Sequence, residues 1–259
     1  MAYLKNRFIR MARCGLDLVF PVPCISCGRP VDTAAYNGVF CRDCRPDDPV
    51  PAAVRCTHCG APLPGADFIG SDDCYCCEMP EGRIRGIVSL GPYHEDRGLS
   101  RMILAMKHGG KTVYCREFGS RLAHRIRDVF PDEIFHGVVP VPLHRRRYWK
   151  RGYNQSALVA TVLAEVLDIP CYTWLLSRIR STPPQSGGRR QRQRNVRHAF
   201  TARGWCRDAS LILVDDVVTT GATVRESAAV LYRAGAASVV AASCGWVPRI
   251  HSPDSIEEP

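Results

Sequence analysis

Long apolar runs are missing from this chain: none of its 259 residues belongs to a stretch approaching the ~20 apolar positions that a membrane helix needs. No secretory leader is expected either. The opening MAYLKNRFIRMARCGLDLVFPVP builds no clean apolar segment before Asp17 interrupts it. Leu4, Phe8 and Met11 are interleaved there with Lys5, Arg7, Arg10 and Arg13. That pattern reads as an ordinary helix over residues 1–23 rather than an organellar transit peptide, because it runs directly into the first cysteine pair. A cytoplasmic, reducing location is the expectation. Acidic side chains are the scarcer charge, 25 against 35 basic ones, and the net charge of +10 favours anionic partners such as phosphorylated small molecules or nucleic acid. Two phosphate motifs are absent. No G-x4-G-K-[ST] forms a Walker loop, and no dinucleotide fingerprint occurs. His108, His124, His136 and His198 lack partners at ligand or triad spacing and are read as structural or exposed.

Cysteine, by contrast, is plentiful: 14 in all, nine of them within residues 24–80, a stretch with many prolines and glycines and few apolar runs. Such a segment cannot build a core of its own and needs cross-links. Its cysteines fall into the pairs Cys24/Cys27, Cys41/Cys44, Cys56/Cys59 and Cys74/Cys77, each with two residues between, and Cys76 sits inside the last. A two-residue gap folds into a knuckle that aims both thiolates at one tetrahedral ion. Gly28 and Gly60 follow directly, where a knuckle favours a residue tolerant of positive φ. Residues 24–82 are therefore expected to form a double zinc ribbon. Cys24, Cys27, Cys41 and Cys44 would hold one Zn²⁺, and Cys56, Cys59, Cys74 and Cys77 the other; interleaved pairing stays open, and Cys76 is either a spare thiol or exchanges roles with Cys74. Four thiolates per ion leave no position for catalysis, so both zincs are expected to be structural. Four pairs in series do not fit a redox dithiol. Zinc ribbons also touch nucleic acid or protein partners, and nothing in the spacing chooses between these.

From Gly86 onward the composition changes, with 46% of the whole chain hydrophobic and 23% charged, enough for a folded core. Short aliphatic runs alternate with helical patterns. Strands are expected at 86–93, 137–143, 210–216 and 238–246, with a weak one at 171–176. Helices are expected at 99–107, 116–130, 156–167 and 223–235. Alternation of this kind implies an α/β fold, a mainly parallel sheet flanked by helices. Residues 83–248 form this domain, and 249–259 a polar tail.

The stretch LILVDDVVTTGAT, residues 211–223, carries the chemistry. LILV reads as a buried parallel strand, and the carboxyl ends of such strands are where open α/β sheets place ligands. Asp215 and Asp216 stand side by side at that end, an arrangement no packing argument asks for. Thr219, Thr220, Gly221, Ala222 and Thr223 lead into a helix, so their amides and hydroxyls form a phosphate cradle at its N-terminus. Carboxylates would repel a bare phosphate, but they accept hydrogen bonds from vicinal hydroxyls. The ligand that reconciles the two is a sugar phosphate, with the ribose diol on Asp215 and Asp216.

This stretch resembles the PRPP loop of type I phosphoribosyltransferases. Two further segments resemble the ComF (competence protein F) family: VVPVPLHRRRYWKRGYNQS at 138–156, with Tyr153 where the family usually shows Phe, and TPPQSGGRRQRQRNVRHAF at 182–200, with Gly188 where Leu is common. LDLVFPVPCISCG and the cysteine pairs resemble that family's N-terminal double zinc ribbon, so the resemblance covers nearly the whole chain. It implies a type I phosphoribosyltransferase-like domain. Asp215 and Asp216 would be catalytic, and together with Val218, Thr219, Thr220, Gly221, Ala222 and Thr223 would bind PRPP. Pro142, Leu143, His144, Arg145, Arg147 and Arg151 would form a pyrophosphate loop working with Mg²⁺. Residues 177–200 would be a flexible loop carrying Thr182, Gln185, Arg192 and Asn195, in which Arg189, Arg190, Arg192, Arg194 and Arg197 are more than pyrophosphate needs. Lys107 resembles a family lysine of unassigned role; a plain surface lysine fits it equally.

Two functions follow. One is transfer of ribose 5-phosphate from PRPP to a nitrogen nucleophile with pyrophosphate release. The other is a PRPP-sensing or single-stranded-DNA-binding component of natural transformation and DNA uptake, with which the family is associated. No segment dictates the acceptor.

Overall fold

The computed structural model describes Cys24, residues 29–31, 84–91, Tyr93, and residues 98–108, 110–180 and 196–247. The chain divides into two units, Met1–Asp48 and Pro49–Pro259. In the first, Cys24 and Val31 are buried, and the Cys24 amide donates to the Arg29 carbonyl at 2.6 Å. The expected helix at 1–23, the tail at 249–259 and the ribbon cysteines other than Cys24 lie outside the described residues.

The second unit runs β1 (Gly86–Ser89), α1 (Gly98–His108), α2 (Val113–Val129), β2 (Gly137–Pro140), α3 (Arg145–Arg151), α4 (Gln155–Leu167), β3 (Leu176–Arg178), β4 (Phe200–Ala202), β5 (Ser210–Val218), α5 (Ala222–Arg233) and β6 (Ser238–Trp246). Four strands form an all-parallel sheet in the order β1-β6-β5-β2. The two central strands are nine residues each and read as near-continuous aliphatic runs, as strands covered on both faces do. Leu211, Leu213, Val239 and Ala241 pack with Val224, Ala228 and Leu231 of α5 in one buried cluster. Each such side chain contributes roughly 1.5–3 kcal/mol on leaving water. The result is the expected α/β fold, a parallel sheet flanked by helices.

Two elements differ from expectation. The strand anticipated at 171–176 reduces to one parallel bridge, Val138↔Cys171, flanked by Val138 N–H to Pro170 and Tyr172 N–H to Val138, both 2.8 Å. A turn closed by the Leu175 amide on the Tyr172 carbonyl then takes the chain off the sheet edge. β3 instead pairs antiparallel with β4, and this ladder forms the base of the 177–200 loop, whose residues 181–195 lie outside the described ones. Secondly, Arg145–Arg151 is a helix rather than part of a turn. Extended His144 caps it by accepting the Arg146 amide on Nδ1 (3.3 Å), and Gly152, at φ +84°, ends it. Arginine and lysine are good helix formers, and Lys150 and Arg151 in the last turn complement the helix dipole.

Candidate functional site

The carboxyl ends of β2, β5 and β6 open into a cleft of about 840 Å³. Its floor is the end of β5. Asp215 still pairs in register with Ser243, but β2 has already ended opposite Val214, so the carboxylates emerge where the sheet has lost a neighbour. Each has one oxygen held from the protein side. Asp215 Oδ1 accepts from the Asp216 amide (2.8 Å) and from the buried Ser156 hydroxyl (3.4 Å). Asp216 Oδ2 faces Lys107 Nζ at 3.1 Å. Burial first, and then the Asp216 charge, push the Asp215 carboxyl up to about 7; the Asp216 amide, Lys107 and Arg178 pull the other way.

Beyond the carboxylates the chain turns into α5. Gly221 adopts φ +72°, the left-handed region glycine enters without strain, and α5 begins directly after it. Thr219, Gly221, Ala222 and Thr223 all line the cleft, which puts the N-terminal end of α5 on it. Thr220 does not: its hydroxyl accepts the Ala222 amide (3.4 Å) and its carbonyl accepts from the buried Arg225 guanidinium (2.7 Å). It shapes the loop from behind.

Opposite stands the segment after β2. Asn154 Nδ2 donates to the Val141 carbonyl (3.0 Å), and the Tyr153 hydroxyl donates to the Met106 carbonyl, clamping this segment between β2 and α1. Pro142, Leu143, Arg147, Lys150 and Arg151 line the cleft there. His144 is the cap of α3, and Arg145 is exposed on it; neither lines the cleft. Arg178 enters from β3, stacked 5.3 Å over the Phe200 ring. Its proton affinity is lowered, by burial and then by the Arg147 charge, with Asp215 opposing. Five cations, Lys107, Arg147, Lys150, Arg151 and Arg178, thus face two carboxylates in one cleft.

The structure therefore brings together Asp215, Asp216, Val218, Thr219, Gly221, Ala222, Thr223, Pro142, Leu143, Arg147 and Arg151. Thr182, Gln185, Arg192 and Asn195 lie outside the described residues, as do Cys27, Cys41, Cys44, Cys56, Cys59, Cys74 and Cys77. Sequence reasoning missed Arg178, Lys150 and Ser156 and left Lys107 open. Arg178, Ser156 and Lys107 reach the cleft through tertiary pairing, whereas Lys150 comes with Arg147 and Arg151 on α3. The thiols of Cys115, Cys171, Cys206 and Cys244 are pushed up by burial, Cys115 to about 11.

No family model matches the chain. Competence protein F of Haemophilus influenzae is 30% identical over 223 residues, 83% of this chain and 93% of that protein. Competence protein ComFC of Bacillus subtilis is 30% identical over 173 residues, 64% of this chain and 69% of that one. DNA utilization protein YhgH of Salmonella typhi is 43% identical over 103 residues, 39% of this chain and 45% of that relative, so the match spans about half its length. Among solved structures, adenine phosphoribosyltransferase from Leishmania tarentolae is 16% identical over 60% of this chain and 76% of its own, with a TM-score of 0.35. Purine phosphoribosyltransferase from Pyrococcus horikoshii is 16% identical over 50% and 72%, with a TM-score of 0.32. Likenesses that slight carry no weight beyond themselves; the relationship to the Haemophilus protein, which runs through nearly all of it, does, and the chain belongs to the competence protein F (ComF) family.

Proposed function

We propose that the cleft binds PRPP with Mg²⁺ and transfers its ribose 5-phosphate to a nitrogen nucleophile, releasing pyrophosphate. One observation carries this reading: Asp215 and Asp216, each with one oxygen tied back, open onto the same cleft as the N-terminal end of α5 and a bank of cations. The untied oxygens suit the two sugar hydroxyls. Thr219, Thr223 and the amides after Gly221 suit the 5-phosphate. Arg147, Lys150, Arg151 and Arg178 suit the diphosphate. In the reaction the nucleophile's lone pair forms the C1–N bond as the C1–O bond to diphosphate breaks. The diphosphate leaves with that electron pair, and the nitrogen's proton passes to solvent. Cations near the leaving oxygens stabilise charge that develops only as the bond breaks.

Among the described residues no three His, Cys, Asp or Glu side chains gather as a metal-holding group. Mg²⁺, which prefers six oxygens, would draw them mainly from diphosphate, sugar hydroxyls and water, and Asp215 and Asp216 fit as acceptors around it. Calorimetric titration with PRPP tests the reading: binding is expected with Mg²⁺ and weakened at least about tenfold in Asp216→Asn. No heat with wild-type protein and Mg²⁺ would overturn it. A pyrophosphate-release screen across nitrogen nucleophiles then separates an enzyme from a PRPP sensor.

A second reading has its own observation. α3 buries no residue; Trp149 is 84% exposed and Tyr148 48%, beside exposed Arg145, Arg146 and Lys150. An aromatic platform among cations suits single-stranded DNA, stacking bases while screening phosphates. Salt-sensitive binding of an oligonucleotide, weakened by Trp149→Ala, is expected; binding indifferent to that change refutes it. For the cysteine pairs the proposal is two structural Zn²⁺. Cys24 is buried, and its backbone N–H donates to the Arg29 carbonyl. Two equivalents of zinc per purified chain are expected.

A further inference from the structure

Lys107 stands in the last turn of α1 and has no role in the proposed chemistry above. Its ammonium lies 3.1 Å from Asp216 Oδ2, both side chains are only about a fifth exposed (22% and 18%), and both line the cleft. The pair is not a loose surface contact. The preceding residue, Met106, is fully buried, and its carbonyl takes the Tyr153 hydroxyl, which fixes the end of α1 against the segment leading into α4. Lys107 also occupies the last helical turn, where the dipole favours a cation.

Two carboxylates on successive residues in one cleft are raw material for a divalent-cation site. Ionised together, they repel each other, and a doubly charged ion is the strongest neutraliser on offer. Here a protein ammonium stands at contact distance from one of them, while Asp215 is held by its neighbour's amide and by Ser156. A lysine suits this place better than an arginine: it is a compact point charge that leaves the second oxygen of Asp216 open. The diphosphate side of the cleft has four other cations and does not require this one.

We propose that Lys107 is a specificity-determining residue that stands in for a metal ion beside Asp216, so that the carboxylate pair accepts neutral sugar hydroxyls and refuses a bare divalent cation. The identity of the sugar rests on the proposed function; the refusal is a property of the protein alone. A consequence is that the divalent ion enters only with its phosphorylated ligand, already neutralised by diphosphate oxygens. Asp216 then keeps an unblocked oxygen for a hydroxyl.

The test is Mn²⁺ binding to the full zinc-loaded chain without any sugar phosphate, followed by electron paramagnetic resonance. Lys107→Met is expected to bind Mn²⁺ at least about tenfold more tightly than wild type, since removing a charge at contact distance unmasks the pair. Lys107→Arg is expected to behave as wild type, and adding Asp216→Asn to Lys107→Met is expected to abolish the gain. Lys107→Gln serves as a second neutral variant should Lys107→Met not fold. A neutral variant that binds Mn²⁺ no better than wild type overturns the proposal, as does a gained site that survives Asp216→Asn. No PRPP is in the tube, so a wild-type protein that fails to bind PRPP refutes the proposed function without altering this result.

Discussion

The Ser156 hydroxyl donates to Asp215 Oδ1 across 3.4 Å, from the first turn of α4 to the end of β5. The Asp216 amide, Lys107 and Arg178 favour charge on this carboxylate and do not prevail: burial and the adjacent Asp216 charge raise the carboxyl to about 7. The fold thus carries an acid whose ionisation it opposes.

A stability signature follows from the sign of this shift. Below about 3.8 Asp215 is protonated folded or unfolded and costs nothing; between about 3.8 and about 7 the unfolded chain ionises first and stability falls. Above that the penalty is constant, on the order of 4 kcal/mol. Asp215→Asn is expected to melt above wild type at pH 8 and to converge with it toward pH 4.5. Thermal unfolding across that range checks it, and a pH-independent offset would contradict the assignment.

Helix packing supplies a second test. A Cβ on Gly119, midway along α2, would meet Val162 Cβ at 2.6 Å and the Val159 carbonyl at 2.8 Å, both on α4. Alanine normally gains about 1 kcal/mol over glycine inside a helix. Here the clash with backbone wins, and Gly119→Ala is expected to lower stability by roughly 1–3 kcal/mol, read from the chemical-denaturation midpoint.

What sequence could and could not reveal divides along local lines. LILVDDVVTTGAT is a strand, a turn and a helix start in one continuous run, so the order of its residues already states the layout of the cleft floor. α4 and β6 carry their own periodicity and appear within a residue of expectation. The Arg145–Arg151 helix was invisible because it buries nothing, leaving hydrophobic spacing no signal to carry. Arg178 enters the cleft only because β3 pairs with β4 across some twenty residues of loop. Lys107 meets Asp216 from a separate helix more than a hundred positions away. No local pattern encodes either meeting.

Arg178 tests the anionic end. It shares the cleft with Arg147, whose charge lowers its proton affinity, and like charges held together in a cleft are stabilised by an anion between them. Arg178→Ala is expected to weaken pyrophosphate binding about ten- to a hundredfold, as loss of a charged hydrogen bond implies. Arg178→Lys recovers part, since the charge remains but the fork and its stacking on Phe200 do not. Calorimetry with pyrophosphate alone reads both.

The two ends of the cleft are separable by ligand fragments. Thr223→Val keeps the shape of its side chain and removes the hydroxyl. Gly221→Ala places a Cβ at φ +72°, straining the turn by about 1–2 kcal/mol and shifting the amides that follow it. Both are expected to weaken ribose 5-phosphate several-fold, about what a lost neutral hydrogen bond costs, while leaving pyrophosphate affinity unchanged. Arg147→Ala is expected to do the reverse, because Arg147 projects from α3 on the other wall. A crossed pattern locates phosphate at the α5 end and diphosphate at the α3 end. If Thr223→Val and Arg147→Ala instead weaken both fragments equally, the cleft holds a single undivided anion site and the sugar phosphate does not lie along it.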